Sequence, residues 1–485
     1  MRSILAIVNV LGALLAMFAA LYLLPALTAL HYAEFPEMVS FLACGGATLA
    51  LGLALLLSTR RSRTELKPRD GYLLVSLSWL TLTASAAVPF GLIEGMSVTD
   101  SYFEAMSGLS TTGSSVITGL DALPYSVNLW RHALHWLGGM GIIVLAVAIL
   151  PLLGVGGMQM YRAETPGPVK DTKLTPRITE TAKALYMVYA SLTVVCFLAL
   201  WAAGMTVFDA ICHAFSLMSL GGFSTHEASV GYFNSPLIES VFIVCMLVAA
   251  VNYSSHFLAL RRRDLTVYRR DPEARWVIIW LAASVLVTTA LVHAAGLYPD
   301  LLTALRHTAF SLISLATTAG FVTEDYSLWP LFVPMWMLFL SCVVPSTGST
   351  GGGLKLIRSL IMIKQWFREL FALVHPHAVI PLKIAGNVVS NRVVNSVLAF
   401  VFVYFMTIVI LTFTMLATGM DFVTAFTAVL ASINNAGPGL GQVGPATNYA
   451  ALSDFQTWVC ILAMFLGRIE LFTFLILFTR TFWRK

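Results

Sequence analysis

The sequence is short of charge. Lys and Arg number 29 and Asp and Glu 24, together 11% of 485 residues. Soluble globular proteins carry roughly 25%, so this chain has too little charge to build a water-facing surface of ordinary extent. That excludes a soluble enzyme, a disordered scaffold and a nucleic-acid binder. The net charge of +5 is no nucleic-acid surface, because the basic residues sit between apolar runs. Cysteine is scarce as well. Cys44, Cys196, Cys212, Cys245, Cys342 and Cys460 are far apart in sequence, and they read as small apolar fillers rather than a disulfide framework or metal site. No nucleophile–base pair or metal-ligand cluster has usable spacing, which argues against an enzyme. The longest cytoplasmic stretch, roughly 368–392, is too short for a soluble regulatory domain.

Apolar sequence is what the chain has: 58% of its residues are hydrophobic and the mean hydropathy is +0.82. Runs long enough to cross roughly 30 Å of hydrocarbon lie among stretches near 4–30, 38–58, 72–93, 130–153, 184–205, 236–260, 276–297, 330–345, 354–367, 394–418 and 455–479. The run at 4–30 is too long for a signal peptide and lacks a cleavage site. Basic clusters set the orientation. They hold Arg60, Arg61, Arg63, Lys67 and Arg69; Arg162, Lys170, Lys173 and Arg177; Arg261, Arg262, Arg263, Arg269, Arg270 and Arg275; and Lys364, Arg368, Lys383 and Arg392. With Arg2, Arg480, Arg484 and Lys485 they face the cytoplasm by the positive-inside rule, so both termini are expected there. The segments between carry Glu94, Asp100, Asp121, Glu227, Glu324 and Asp325, with Arg131 and Arg306 as basic exceptions, and face outward.

Each outer segment holds about three helical turns, too short to span, and then a Gly-containing break. Aligned on Gly113, Gly222, Gly320 and Gly437, the residues three positions earlier are Ser110, Ser219, Thr317 and Asn434. Six positions earlier stand Ser107, Ser216, Ser314 and Ala431, and seven earlier Met106, Phe215, Ile313 and Leu430. The glycines are 109, 98 and 117 residues apart. This is an internal repeat of helix–pore helix–helix units. Irregular backbone at membrane depth survives only where protein buries it or it lines a wet cavity. Four such loops around one axis would aim a ring of carbonyls at a central path, and such rings replace the hydration shell of an alkali cation. The hydroxyls of Ser110, Thr111, Thr112, Thr317 and Thr318 either add ligands or give support. An alternating-access carrier predicts inverted or parallel repeats around a midplane site; four same-sense units fit a pore better.

With these loops, and with His135-Trp136-Leu137-Gly138-Gly139-Met140-Gly141 and Gly467-Arg468-Ile469-Glu470, the chain resembles the TrkH family, membrane subunits of bacterial Trk potassium uptake systems within the Trk/Ktr/HKT superfamily. The resemblance covers nearly the whole chain, including two extra N-terminal spans. It implies an all-α polytopic membrane protein of four helix–pore helix–helix repeats around a pseudo-fourfold pore, plus two N-terminal transmembrane helices. The expected boundaries are 1–69 for those two spans and 70–177, 178–272, 273–391 and 392–485 for the repeats. It implies a filter of mainly backbone carbonyls formed by Thr111, Thr112 and Gly113; Leu220, Gly221 and Gly222; Thr318, Ala319 and Gly320; and Asn435, Ala436 and Gly437. In plant relatives a Ser at the first glycine goes with sodium transport, so Gly113 argues for potassium. No loop reads Thr-Val-Gly-Tyr-Gly, and a permease of weak potassium–sodium selectivity is the variant reading. The resemblance further implies potassium as the transported ion with no organic cofactor, placement in the bacterial inner membrane, a homodimer, and a cytosolic TrkA-type nucleotide-binding ring as partner.

The third repeat's second span is interrupted by Pro345, Ser346, Thr347, Gly348, Ser349, Thr350, Gly351, Gly352 and Gly353. Such a run cannot stay helical, since each Gly costs roughly 1 kcal/mol against Ala. Its spacing to Lys355 does not fit a phosphate-binding loop. In the resembling family this segment, 345–353 here, obstructs the pore beneath the filter. Arg468 lies in an apolar run, where a charge marks a functional site by default. Either it sits below the filter and bonds the gate loop, or it pairs with Glu470 or snorkels. His132 and His135 read as helix-packing or outer-surface residues, and His375-Pro376-His377 as a turn. The polar run Asn252-Tyr253-Ser254-Ser255-His256 lines a vestibule or ends a helix.

Overall fold

The structure, a computed structural model, describes residues 2–60, 68–144 and 178–484. Arg61, Arg63, Lys67, Arg162, Lys170, Lys173, Arg177 and the inner end of the run at 130–153 lie outside the described residues. The rest is helical apart from loops and one small hairpin, in which Lys383–Ile384 pairs with Asn387–Val388. Among the described residues six helices are long and apolar enough to cross a membrane, or eight if two bent pairs each count as one span.

Three helices come first: α1 (Arg2–Ala19), α2 (Leu23–His31) and α3 (Phe35–Thr59). The first repeat follows with α4 (Pro68–Ile93), the short α5 (Val98–Leu109) and α6 (Tyr125–Val144). The second has α7 (Ile178–Ala202), short α8 (Val207–Ser219), α9 (Pro236–Ala250) and α10 (Tyr253–Arg262). A link, α11 (Thr266–Arg270), leads to α12 (Pro272–Ala294), short α13 (Leu301–Ala316), α14 (Phe332–Val343) and α15 (Leu356–Val374) of the third. The fourth is α16 (Asn391–Leu416), short α17 (Phe422–Ile433), α18 (Asp454–Arg468) and α19 (Leu471–Leu475).

Each short helix starts on a side-chain cap. Ser97, Thr206, Asp300 and Asp421 accept from the backbone N–H three residues on, which satisfies an otherwise orphaned donor. The short helices are almost wholly buried toward their C-terminal ends. The long helices instead leave side chains such as Leu286, Val287, Phe402, Ile410 and Phe413 exposed, as lipid-facing surfaces require.

The N-terminal helices seat on the first repeat through Trp130, which is fully buried. Tyr22 stacks on it at 4.6 Å, and Phe18 and Phe41 meet it edge-on at 5.9 and 6.0 Å. Its indole N–H donates to Ala86 O at 3.1 Å, so the apolar contact has a satisfied polar end. Glu34 completes the seat by accepting from the Tyr125 and Ser126 backbone N–H groups at 2.6 and 3.0 Å.

Two spans read as continuous are broken. The α9–α10 pair bends by 94° at Val251-Asn252, and α18 is followed by a 106° bend at Ile469-Glu470. Val251 is extended and the Asn252 side chain caps α10 by accepting from Ser254 N at 2.8 Å. Glu470 sits at φ 60°. Second helices of three repeats therefore break, not of one. Glu34→Ala removes the acceptor at the start of α6 and is expected to cost about 1–2 kcal/mol, the size of a lost cap. The thermal unfolding midpoint in detergent reads it; an unchanged midpoint contradicts the seating.

Candidate functional site

The four breaks share one backbone. The residue before each aligned glycine donates its N–H to the carbonyl five positions back: Thr112 to Ser107 at 2.9 Å, Gly221 to Ser216 at 2.8 Å, Ala319 to Ser314 at 2.8 Å and Ala436 to Ala431 at 2.9 Å. Two positions before the glycine, Thr111, Leu220, Thr318 and Asn435 have φ of 55°, 54°, 64° and 53°. The glycines have φ of 84°, 79°, 75° and 87°, while the residues between are not left-handed. Each non-glycine residue held there costs about 1–2 kcal/mol, which persists only when surroundings over-determine it.

The loops also close on one another. A Cβ on Gly113 would stand 2.0 Å from Gly221 O, one on Gly222 2.4 Å from Ala319 O, and one on Gly320 2.4 Å from Ala436 O. A Cβ on Gly437 would stand 2.8 Å from Thr112 O, which returns to the first loop. One carbonyl per loop thus lies against the next loop's glycine in a closed cycle. The short helices end at these loops, so the negative ends of their dipoles favour a cation there.

Hydroxyls support the loops. Thr112 Oγ1 bonds Ser110 Oγ at 2.6 Å and accepts from Asn435 Nδ2 at 3.0 Å. Thr317 Oγ1 donates to Ile313 O at 2.7 Å, and Thr318 Oγ1 accepts from Gly352 N at 3.0 Å. The fourth loop differs further: Gly437 O accepts from Ser114 Oγ at 3.0 Å and from Tyr449 OH at 2.9 Å.

Above the glycines lies an open cavity of about 460 Å³, lined in part by all four of them, Glu227 and His226. The chain between α14 and α15 lies against the third and fourth breaks. A Cβ on Gly352 would stand 1.8 Å from Asn434 O, and one on Gly351 3.1 Å from Thr317 O. The loop is held from several sides. Ser346 N donates to Ala250 O at 3.2 Å, Gly348 O accepts from Tyr253 N at 3.1 Å, and Thr347 N donates to Glu273 Oε1 at 3.0 Å. Ser349 Oγ donates to Ser346 O at 2.6 Å and Thr350 Oγ1 to Met218 O at 3.0 Å. Gly353 packs against the backbone of Ser341 and Cys342. Beside Gly351, Gly352 and Gly353 the centre of a water molecule has only about 20 Å³ to move in, room for about one water.

Arg468 is 1% exposed. It donates to Thr350 O at 3.0 Å and to Gly138 O at 2.9 Å, and so ties the loop to the first repeat. Glu470 is taken by Arg358 at 2.9 Å instead. The break after α18 turns Glu470 away from its near neighbour, so the pairing of Arg468 with Glu470 is not formed. Lys355 is a second buried cation here, and its ammonium donates to Gly351 O.

His132 and His135 both bond Ser216 Oγ at 3.1 Å, and no cluster of three metal-ligating side chains occurs among the described residues. The polar run at 252–256 ends one helix and starts the next, and Asn252 also packs against Gly348. Sequence reasoning missed the buried pair of Glu104 and Arg131 at 2.7 Å. Its signal was Arg131, a basic exception on the outer side. It also passed over Arg358, hidden among basic residues expected in the cytoplasm.

At the outer rim His226 Nδ1 lies 2.7 Å from Asp121, and Nε2 3.6 Å from Asp209. Burial alone would lower its pKa, but the hydrogen bond to Asp121 and the negative charges of Asp209 and Asp121 raise it above the ordinary 6.5. A raised folded pKa gives stability that is full below the unfolded value and is lost as pH rises through the folded one. Thermal stability is therefore expected to fall as pH climbs from 6 through the raised value. His226→Gln should flatten that slope, and an equal slope in the variant contradicts it.

Comparison with known proteins agrees with this geometry. The TrkH family of cation transport proteins matches residues 38–485. The Trk system potassium uptake protein TrkH of Vibrio parahaemolyticus is 47% identical over 483 residues, 99% of each chain. TrkG of Escherichia coli is 36% identical over 487 residues, covering 99% of this chain and 98% of its own. The crystal structure of the potassium transporter TrkH from Vibrio parahaemolyticus superposes with a TM-score of 0.91 at 44% identity, covering 100% of this chain and 99% of that one. A match that runs almost from end to end, in sequence and in fold alike, makes this chain a member of the TrkH family of cation transport proteins.

Proposed function

We propose that this chain takes up potassium across the bacterial cytoplasmic membrane, through a filter of four loops shut from below by the loop at 345–353. The observation that carries the proposal is the closed cycle of carbonyls and glycines. Carbonyls of Thr111, Thr112, Leu220, Gly221, Thr318, Ala319, Asn435 and Ala436 take over the hydration shell of potassium as it leaves the outer cavity. Gly113, Gly222, Gly320 and Gly437 let those carbonyls approach. The short-helix dipoles offset the cost of bringing an ion into a low-dielectric site.

Beneath the filter the gate residues Ser346, Thr347, Gly348, Ser349, Thr350, Gly351, Gly352 and Gly353 fill the path. Arg468 holds them there and repels an entering cation. The repeats run over 70–177, 178–272, 273–391 and 392–485, after two N-terminal spans in 1–69. Both termini lie in the cytoplasm, in keeping with the basic residues at each end. The membrane unit is a homodimer surrounded by lipid. A TrkA-type nucleotide-binding ring docks on its cytoplasmic face and moves the gate loop. The chain itself is no enzyme and carries no organic cofactor.

Uptake of ⁸⁶Rb⁺ into liposomes holding the purified protein tests the filter. Flux competed by potassium and poorly by sodium is expected, with Gly113→Ser loosening that preference; equal competition by both ions contradicts it. Arg468→Ala tests the gate. A hydrogen bond to a charged group is worth about 1.5–3 kcal/mol, so losing one raises the open population, and the flux, roughly tenfold or more. Unchanged flux at equal expression overturns the role of Arg468.

A further inference from the structure

A fully buried ion pair lies behind the filter rather than in it. Glu104 is fully buried on α5 and Arg131 is 1% exposed on α6. Arg131 Nε donates to Glu104 Oε1 at 2.7 Å. The other donors of the guanidinium reach Asn128 Oδ1 at 3.2 Å, Ser115 Oγ at 3.3 Å and Ser224 O at 3.4 Å. Its carbon sits 4.2 Å above the ring of Phe223. Glu104 in turn accepts from Ser115 Oγ at 3.0 Å and from Val116 N at 3.1 Å. Ser115 and Val116 stand two and three residues after Gly113, and Phe223 and Ser224 one and two after Gly222.

The repeat register shows what is special. Glu104 stands nine residues before its aligned glycine and Ser115 two after it. In the second repeat the same two positions hold His213 and Ser224, bonded at 2.9 Å. His213 Nδ1 lies 2.8 Å from the Asp209 carbonyl. A carbonyl only accepts, so Nδ1 donates and Nε2 of the neutral ring accepts from Ser224. In the third and fourth repeats these positions hold Ser311 with Val322 and Ala428 with Gly439, which offer no charge. Two quarters of the ring are thus braced by a buried polar network, and Arg131 ties those two together.

Removing one partner of a buried pair leaves an uncompensated charge, so the geometry is held firmly. A carbonyl ring rejects a smaller ion only so far as it resists closing around it. We propose that Glu104 and Arg131 form a strut that fixes the spacing of the first two filter loops and so sets how strongly the filter prefers potassium to sodium. They are positioning residues, since they reach the ion only through the loops. The inference rests on the filter reading given above.

The test uses the full chain in liposomes and the ratio of sodium to potassium concentrations that halve ⁸⁶Rb⁺ uptake. Glu104→Gln keeps shape and removes the charge; Arg131→Lys keeps the charge and removes the fork that reaches Ser115 and Ser224. The strut predicts a fall in the ratio of at least about tenfold for Glu104→Gln and a smaller fall for Arg131→Lys, in protein that elutes as the parent does. A ratio unchanged in both variants overturns it. Should Glu104→Gln fail to fold, Arg131→Lys decides, because its buried charges stay balanced. Gly113→Ser separates the two ideas. If it lowers the ratio while the pair variants do not, only the strut fails; if it too leaves the ratio unmoved, the filter reading fails.

Discussion

A carbonyl oxygen of each loop occupies the space where a side chain on the neighbouring loop's glycine would go. Gly113 faces Gly221 O, Gly222 faces Ala319 O, Gly320 faces Ala436 O and Gly437 faces Thr112 O. Everything else in the chain serves that cycle. It requires four loops at one depth, hence four short helices of similar length, each capped at its outer end and buried along its body. It requires left-handed backbone at two positions per loop, one of them without glycine's freedom. Thr111, Leu220, Thr318 and Asn435 are held there by the i→i+5 hydrogen bond beside them and by the packing of the short helices.

The space below the cycle is filled by backbone rather than by bulky side chains. Gly352 approaches the Asn434 carbonyl more closely than any side chain permits, and Gly351 lies tight against the Thr317 carbonyl. Polar anchors then come from every quarter: Met218 and Tyr253 of the second repeat, Thr318 and Glu273 of the third, Arg468 of the fourth, and Gly138 of the first through Arg468. A segment fastened by individually modest hydrogen bonds is firm when all are made and releases when a few are lost. That property suits a gate better than an apolar plug would. The breaks at Asn252 and Glu470 belong to the same design, because they bring irregular backbone and its polar groups to the level of the loop.

The membrane class, the repeat and the four glycine positions were legible in the sequence, because lipid tolerates so few backbone arrangements and because left-handed backbone in close contact favours glycine. The run from Pro345 to Gly353 was legible for the same reason. The bends at 251–252 and 469–470 were not. Hydropathy averaged over a span passes over a single Asn or a single Glu. The partners of Arg468 were only half legible: its burial followed from its place in an apolar run, but sequence proximity pointed to Glu470, which the bend gives to Arg358. Glu104 and Arg131 stand 27 residues apart, and only folding shows that they meet.

Anomalous diffraction from crystals of the protein soaked in Rb⁺ or Tl⁺ asks whether the cycle of carbonyls holds the ion. A peak is expected between the carbonyls of Thr112, Gly221, Ala319 and Ala436, weakened by excess potassium and not by sodium. A peak elsewhere in the molecule, or none within the cycle at ion concentrations that support flux, would contradict it.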